Sequence, residues 1–123
     1  MLQGNFFSIN FIREEGDSVI ATLGLNARHP IFDGHFPGQP IVPGACMLQM
    51  VKEVMQTVKG YDMQLIKAHQ LKFISLIDPG KHNYLEMTIT HSLSEMADIA
   101  VSATLATDTT ACFKFAGLFK LCK

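Results

Sequence analysis

Residues 45–58 are the one segment of this chain with the spacing of an α-helix, and they are apolar on nearly every side near the start of that segment. A helix of this kind has to be buried. The other regular segments alternate apolar and polar residues with a period of two, which indicates half-buried β-strands. Because a single helix cannot cover two separate sheets, the pattern predicts an α+β fold, with one curved antiparallel sheet wrapped around a long central helix.

The order of the segments predicts how the chain runs through this fold. Two strands, joined by a turn at residues 14–17, precede the helix, and four strands follow it in a meander. The helix is predicted to end at Lys59-Gly60, because glycine commonly terminates helices. At 123 residues without a linker or repeat, residues 1–123 form a single domain. The predicted strands cover residues 5–12, 18–26, 65–77, 84–92, 97–107 and 111–121.

Composition excludes several classes of partner. The chain is 48% hydrophobic and 17% charged, with a net charge of −1 and no basic run, which argues against nucleic acid or an anionic membrane as a partner. The first residues lack the pattern of a signal peptide, and no apolar run approaches membrane-spanning length, so we expect a cytoplasmic protein. Cys46, Cys112 and Cys122 lack C-x-x-C spacing and are predicted to be reduced thiols.

The loop before the helix, residues 29–44, holds four of the five prolines and two histidines. His35 is therefore carried on a stiff backbone close to the start of the helix. Unpaired N–H groups and the positive end of the helix dipole can polarise a carbonyl there. An acid/base group fixed beside such a position is suited to carbonyl chemistry.

The segment Gly-His-Phe-Pro-Gly-Gln-Pro-Ile-Val-Pro-Gly, residues 34–44, resembles the signature of the β-hydroxyacyl-[acyl carrier protein] dehydratases of bacterial fatty acid biosynthesis. Residues 30–33, Lys72-Phe73 and Pro79-Gly80 also fit positions of that family. The resemblance implies the hotdog fold, a dimer with substrate tunnels at its interface, hydro-lyase activity on acyl thioesters, and no metal or cofactor. The thioester is then carried on acyl carrier protein, with coenzyme A as the alternative carrier.

The resemblance also assigns roles to individual residues. It makes His35 the catalytic base and Gly44 the donor of a backbone N–H to the thioester carbonyl. The second catalytic residue of the family, a Glu or Asp fourteen positions after the histidine that is contributed across the dimer interface, is replaced here by Gln49. An amide cannot donate a proton at any useful pH, and loss of a general acid typically costs about two to four powers of ten in rate.

Gln49 leaves two interpretations open. In the first, His35 takes the α proton and returns it to the departing hydroxyl, while Gln49 only orients that hydroxyl. In the second, the chain is a non-catalytic acyl-binding protein or the partner subunit of an active dehydratase. A thioesterase is less favoured, because that reaction needs a carboxylate to activate water. A homodimer is the expected minimum, and a higher oligomer or a heterodimer with a paralogue stays open.

Further residues are candidates for supporting roles. Glu53, one helical turn after Gln49, could supply the missing carboxylate, although the favoured interpretation is that it is a solvated charge on the helix surface. Asp33 could orient His35, although an Asp before Gly is more often a turn residue. The residues expected to line the acyl tunnel, by their place in the motif or on the helix, are Phe32, Phe36, Met47 and Met50.

Overall fold

The structure, a computed structural model, describes residues 1–32, 41–93, 98–108 and 110–122. Over these residues the chain forms six β-strands and one long α-helix, with a short 3₁₀ turn at Pro30–Phe32. The elements are β1 Phe7–Glu15, β2 Ser18–Leu25, α1 Gly44–Lys59, β3 Asp62–Phe73, β4 Tyr84–Leu93, β5 Ile99–Thr107 and β6 Thr110–Cys122.

The strands make one antiparallel sheet in the order β1-β2-β4-β5-β6-β3, which confirms the predicted α+β architecture. The predicted four-strand meander is wrong for one strand: β3 pairs with β6 and not with β4. The chain leaves the sheet after β2 and re-enters at the opposite edge after α1. The meander β4-β5-β6 then fills the space between those edges, so β1 and β3 are the edge strands.

One face of the sheet and most of α1 form the core. Along β5 the buried residues alternate with less buried ones, as the period of two predicts. The helix contributes a block of fully buried apolar side chains, Met50, Val51, Val54 and Met55. Gly60 ends the helix with φ 76°, a left-handed conformation that glycine adopts without strain, and its N–H donates to Gln56 O. The predicted end of the helix is confirmed.

Strand β3, predicted over residues 65–77, has register shifts between Leu65 and Lys67 and between Ala68 and Gln70. It ends at Phe73 instead of residue 77, since regular pairing with β6 stops at Phe73 opposite Phe113, and the N–H groups of Ile74 and Ser75 then both donate to Cys112 O. Its side chains are mostly exposed, so this edge of the sheet carries apolar side chains, Ile66, Leu71 and Phe73, that the described residues leave exposed.

Two further expectations concern chain-wide properties. Cys46, Cys112 and Cys122 are all free thiols, as predicted. Over the described part of the chain, no helix has the combination of length and apolar composition that crossing a membrane requires.

Candidate active site

The N-terminus of α1 is built to leave a backbone donor free. Pro43 occupies the N-cap with φ −63° and ψ 145°, and its ring offers no side-chain acceptor to the first turn. The N–H groups of Cys46 and Met47 donate to Pro43 O at 3.0 and 3.3 Å. Among the described residues, nothing accepts the N–H of Gly44, which lies at the positive end of the helix dipole.

An aromatic ring covers this helix start. A Cβ added at Gly44 would lie 2.7 Å from Cε1 and 2.8 Å from Cζ of Phe73, the last residue of β3. The Phe73 ring in turn stacks on Phe113 of β6 with centroids 5.2 Å apart. The close approach means that any larger residue at this position would displace the Phe73 ring from the start of the helix.

Beside Gly44 lies an apolar cavity of about 410 Å³, within the range of small-molecule sites. The helix contributes Gly44 and Met47, and the segment after β3 contributes its exposed apolar side chains. Such a cavity can take an alkyl or aryl group while the helix N–H faces the polar end of the same ligand. The lining residues are Ile41, Val42, Pro43, Gly44, Met47, Phe73, Ile74, Ser75 and Leu76.

The residues predicted from the sequence to line the acyl tunnel lie in different parts of the structure. Met47 lines the cavity next to Gly44. Met50 is fully buried in the core, and Phe32 packs on Phe6 with ring centroids 5.4 Å apart, so neither of them lines this cavity. Sequence reasoning missed Phe73 and Leu76 as lining residues. The available signal was the match of Lys72-Phe73 to the dehydratase family, which located Phe73 but gave it no function.

Gln49 lies on α1 and is half-buried, and its side chain is held by Glu53 one turn later. Gln49 Nε2 donates to Glu53 Oε2 at 2.8 Å. Glu53 also accepts the backbone N–H of Leu2 on Oε2 at 2.8 Å and that of Gln3 on Oε1 at 2.7 Å. Its side chain is 0% exposed, so the favoured prediction of a solvated surface charge is wrong: the N-terminal segment covers this face of the helix and supplies the donors that a buried carboxylate requires.

Three of the predicted site residues, Asp33, His35 and Phe36, lie outside the described residues. The described geometry of the site therefore consists of the helix start at Gly44, the cavity beside it, and the Gln49–Glu53 pair on the helix.

A cysteine nucleophile at this helix start is not supported. Cys46 lies in the first turn of α1, where a thiolate would be favoured by the helix dipole. However, burial raises the pKa of the Cys46 thiol above its ordinary value. The side chain is therefore a neutral thiol packed in the core, and a thiolate mechanism has no group to use here.

Comparison with known proteins agrees with this architecture. A family model described as ApeI-like, ApeI dehydratase, matches residues 12–113. The 3-hydroxyacyl-[acyl-carrier-protein] dehydratase FabZ of Ehrlichia canis is 31% identical over 85 residues, covering 61% of this chain but only 57% of that protein. The corresponding enzyme of Rickettsia felis is 23% identical over 111 residues, covering 84% of this chain and 77% of that protein.

Two solved structures share the fold at low sequence identity. A chain from the dehydratase heterocomplex ApeI:P of Xenorhabdus doucetiae is 23% identical, with a TM-score of 0.73 over 91% of this chain and 96% of that one. A sigma28-regulated virulence protein of Campylobacter jejuni is 14% identical, with a TM-score of 0.68 over 92% of this chain and 83% of that one. The predicted hotdog fold is thereby confirmed. With a family model that spans residues 12–113, the chain belongs to the ApeI-like dehydratases, a FabZ-like family of hotdog-fold proteins.

Proposed function

We propose that this chain dehydrates a β-hydroxyacyl thioester to the corresponding enoyl thioester, with the acyl group carried on acyl carrier protein or, alternatively, on coenzyme A. The observation that carries the proposal is the apolar cavity of about 410 Å³ beside the N–H of Gly44, which no described residue accepts, in a chain that belongs to a dehydratase family. The Pro/Gly-rich motif carries His35 nine positions before that glycine.

In the proposed mechanism a single imidazole moves the proton. Neutral His35 removes a proton from the α carbon, and the electron pair moves onto the thioester oxygen as an enolate. The N–H of Gly44 stabilises that developing charge. The enolate then collapses to form the α–β double bond while the β carbon–oxygen bond breaks. The imidazolium of His35 returns its proton to the departing oxygen, which leaves as water. Gln49 is not among the residues that line the cavity of its own chain, and in the proposal it is contributed across the dimer interface, where it orients the hydroxyl and transfers no proton.

The direct test measures conversion of β-hydroxyacyl to enoyl thioester on both carriers, in both directions, for the wild type and His35→Ala. Loss of the acid/base group is expected to lower kcat by about two to four powers of ten. His82→Ala is the matched control, because His82 lies between β3 and β4 and outside the lining of the cavity, and it is expected to retain wild-type activity. A wild type that converts neither carrier's substrate, or a His35→Ala variant with full activity, would contradict the proposal.

A second candidate function, the partner subunit of an active dehydratase, is favoured by one residue. Gln49 holds an amide where the family carries its acid, and one structural relative is a chain of a dehydratase heterocomplex. This candidate predicts that the chain is inactive alone and that it co-purifies with a related protein carrying the acidic residue. A thioesterase is supported less, because both oxygens of the nearby Glu53 carboxylate already accept hydrogen bonds, and release of free thiol would be its signature.

We propose a homodimer as the minimal assembly, formed through the edge strand β3. Exposed apolar side chains follow this edge and the segment after it, including Leu71 at 45% and Leu76 at 73%. A charge placed here, Leu71→Lys, is expected to shift the mass in solution from dimer towards monomer. Phe11→Lys on the opposite edge strand β1 is the matched control and should stay dimeric. A wild type that is monomeric at micromolar concentration would refute the assembly. The cytoplasmic location stays a prediction.

A further inference from the structure

Glu53 is a buried carboxylate to which the proposed reaction gives no task. Its side chain is 0% exposed, and it accepts three hydrogen bonds of 2.7 to 2.8 Å, two from backbone N–H groups and one from the side chain of Gln49. A charge is seldom buried unless such bonds compensate for the lost hydration. The arrangement links the N-terminal segment, through one carboxylate, to the residue that occupies the family's acid position.

This contact fixes the orientation of the Gln49 amide. The two ends of a glutamine amide look alike in shape, but an ionised carboxylate only accepts hydrogen bonds. The group facing Glu53 Oε2 at 2.8 Å is therefore the NH₂ of Gln49, and its Oε1 is turned away because two oxygens would repel each other. Within the described residues, no hydrogen bond to that Oε1 is present.

We infer that Glu53 is a positioning residue that holds Gln49 with its amide oxygen as the free acceptor, so that Gln49 receives the hydrogen of the β-hydroxyl of a substrate bound across the dimer interface, since Gln49 is not among the residues that line the cavity beside Gly44 of its own chain. The inference rests on the proposed function. A hydroxyl that donates to Gln49 Oε1 keeps a lone pair of its oxygen available, and that lone pair receives the proton from His35 when the carbon–oxygen bond breaks. An amide with the opposite orientation would donate to the same oxygen and compete with that proton.

Substitution of the two residues separates orientation from folding. In Glu53→Gln, one amide oxygen replaces two carboxylate oxygens, whereas the N–H groups of Leu2 and Gln3 bond to different ones, so only one of these N–H groups keeps its acceptor. Where the amide oxygen keeps the N–H of Gln3, the NH₂ takes the place of Oε2 and faces Gln49. The Gln49 amide is expected to turn over, because two NH₂ groups cannot bond to each other. In Gln49→Glu, two carboxyl groups lie side by side and share a proton. The exchange of both residues, Gln49→Glu with Glu53→Gln, restores an amide–carboxylate pair between the two positions and lacks the same backbone acceptor as Glu53→Gln, which makes the two variants directly comparable.

The first measurement needs no activity. In NMR spectra, the side-chain amide protons of Gln49 are expected to shift and to exchange faster in Glu53→Gln than in the wild type. Glu86→Gln, the same change at an exposed position of β4, should leave them unmoved. The carboxyl group at position 49 is expected to titrate at higher pH in Gln49→Glu than in the double exchange. Unchanged Gln49 resonances in Glu53→Gln, or equal titrations in the two variants, would overturn the inference.

The second measurement is kinetic. Glu53→Gln is expected to lower kcat at least tenfold with little change in KM, while Glu86→Gln has no effect. The double exchange should recover activity and add a second titrating limb to the pH profile of kcat, which a purely structural role of Glu53 would not produce. A Gln49 amide that turns over while kcat stays unchanged would refute its role towards the hydroxyl. If the resonances shift as expected but the wild type dehydrates no thioester, the proposed function fails and the hold of Glu53 on Gln49 stands.

Discussion

Gly117→Ala tests the closest approach between two strands of the sheet. Gly117 lies in β6 opposite Ala68 of β3, next to the register shifts of that strand. A Cβ added there would lie 2.4 Å from the backbone oxygen of Lys67 and 2.7 Å from Cζ of Phe115. An ordinary carbon–oxygen contact is about 3.3 Å or longer. The strands would have to separate by roughly 0.9 Å, and a hydrogen-bonded backbone cannot rotate aside as a side chain can.

The size of the effect follows from comparison with Gly24→Ala in β2. There a Cβ would meet only side-chain atoms, Asn10 Nδ2 and Ser8 Oγ, both at 2.9 Å and both on exposed residues that can move. Replacing glycine by alanine also lowers the entropy of the unfolded chain, which contributes about 0.4–1 kcal/mol of stability. We expect Gly24→Ala to change the free energy of unfolding by less than about 1 kcal/mol, and overpacking in Gly117→Ala to cost about 3 kcal/mol.

The measurement is urea unfolding of both variants and the wild type at equal protein concentration, since the stability of a dimer depends on concentration. The two variants should have the same slope with urea, and the midpoint should fall for Gly117→Ala alone. Because β3 carries Phe73 to the start of α1, Gly117→Ala should also weaken binding of acyl ligands in the cavity. A Gly117→Ala variant within about 1 kcal/mol of Gly24→Ala would refute the reasoning that the β3 backbone is fixed against β6 at this point.

Three further substitutions test the site and the core. Gly44→Ala should lower kcat/KM by about tenfold or more, because the added methyl group meets the Phe73 ring. If displacement of that ring is the cause, the double variant Gly44→Ala with Phe73→Ala should recover part of the lost kcat/KM. Burial lowers the pKa of His91 below its ordinary value, and the charge of Lys59 acts in the same direction. The contribution of neutral His91 to stability is therefore complete above pH 6.5 and is lost as the pH falls through the lowered pKa. The unfolding free energy of the wild type should therefore fall more between pH 7 and 5 than that of His91→Asn, and parallel curves would contradict this. Met50→Ala should cost about 3 kcal/mol in chemical unfolding, since Met50 is 0% exposed, whereas a loss below about 1 kcal/mol would indicate a tunnel-lining position.

The sequence by itself determined where the helix and most of the strands lie and which faces of those strands are buried. Alternation in the segments that became β2, β4, β5 and β6 located the buried faces, since the side chains of a strand point to opposite sides in turn. The apolar surface of residues 45–58 required a central helix, and Gly60 marked its end. The Pro/Gly-rich motif before Gly44 identified the family and the chemistry to expect.

Only the tertiary structure decided where the edges of the sheet lie and what surrounds the helix. The position of β3 beside β6 depends on which side of the sheet the chain re-enters after α1, and a period of two carries no information about pairing partners. The burial of Glu53 was equally inaccessible, because a charged residue at helical spacing looks solvent-exposed until another segment covers it. Its three hydrogen-bond donors come from Leu2 and Gln3, 51 and 50 positions away, and from Gln49, and only folding brings the N-terminal backbone onto that face of α1.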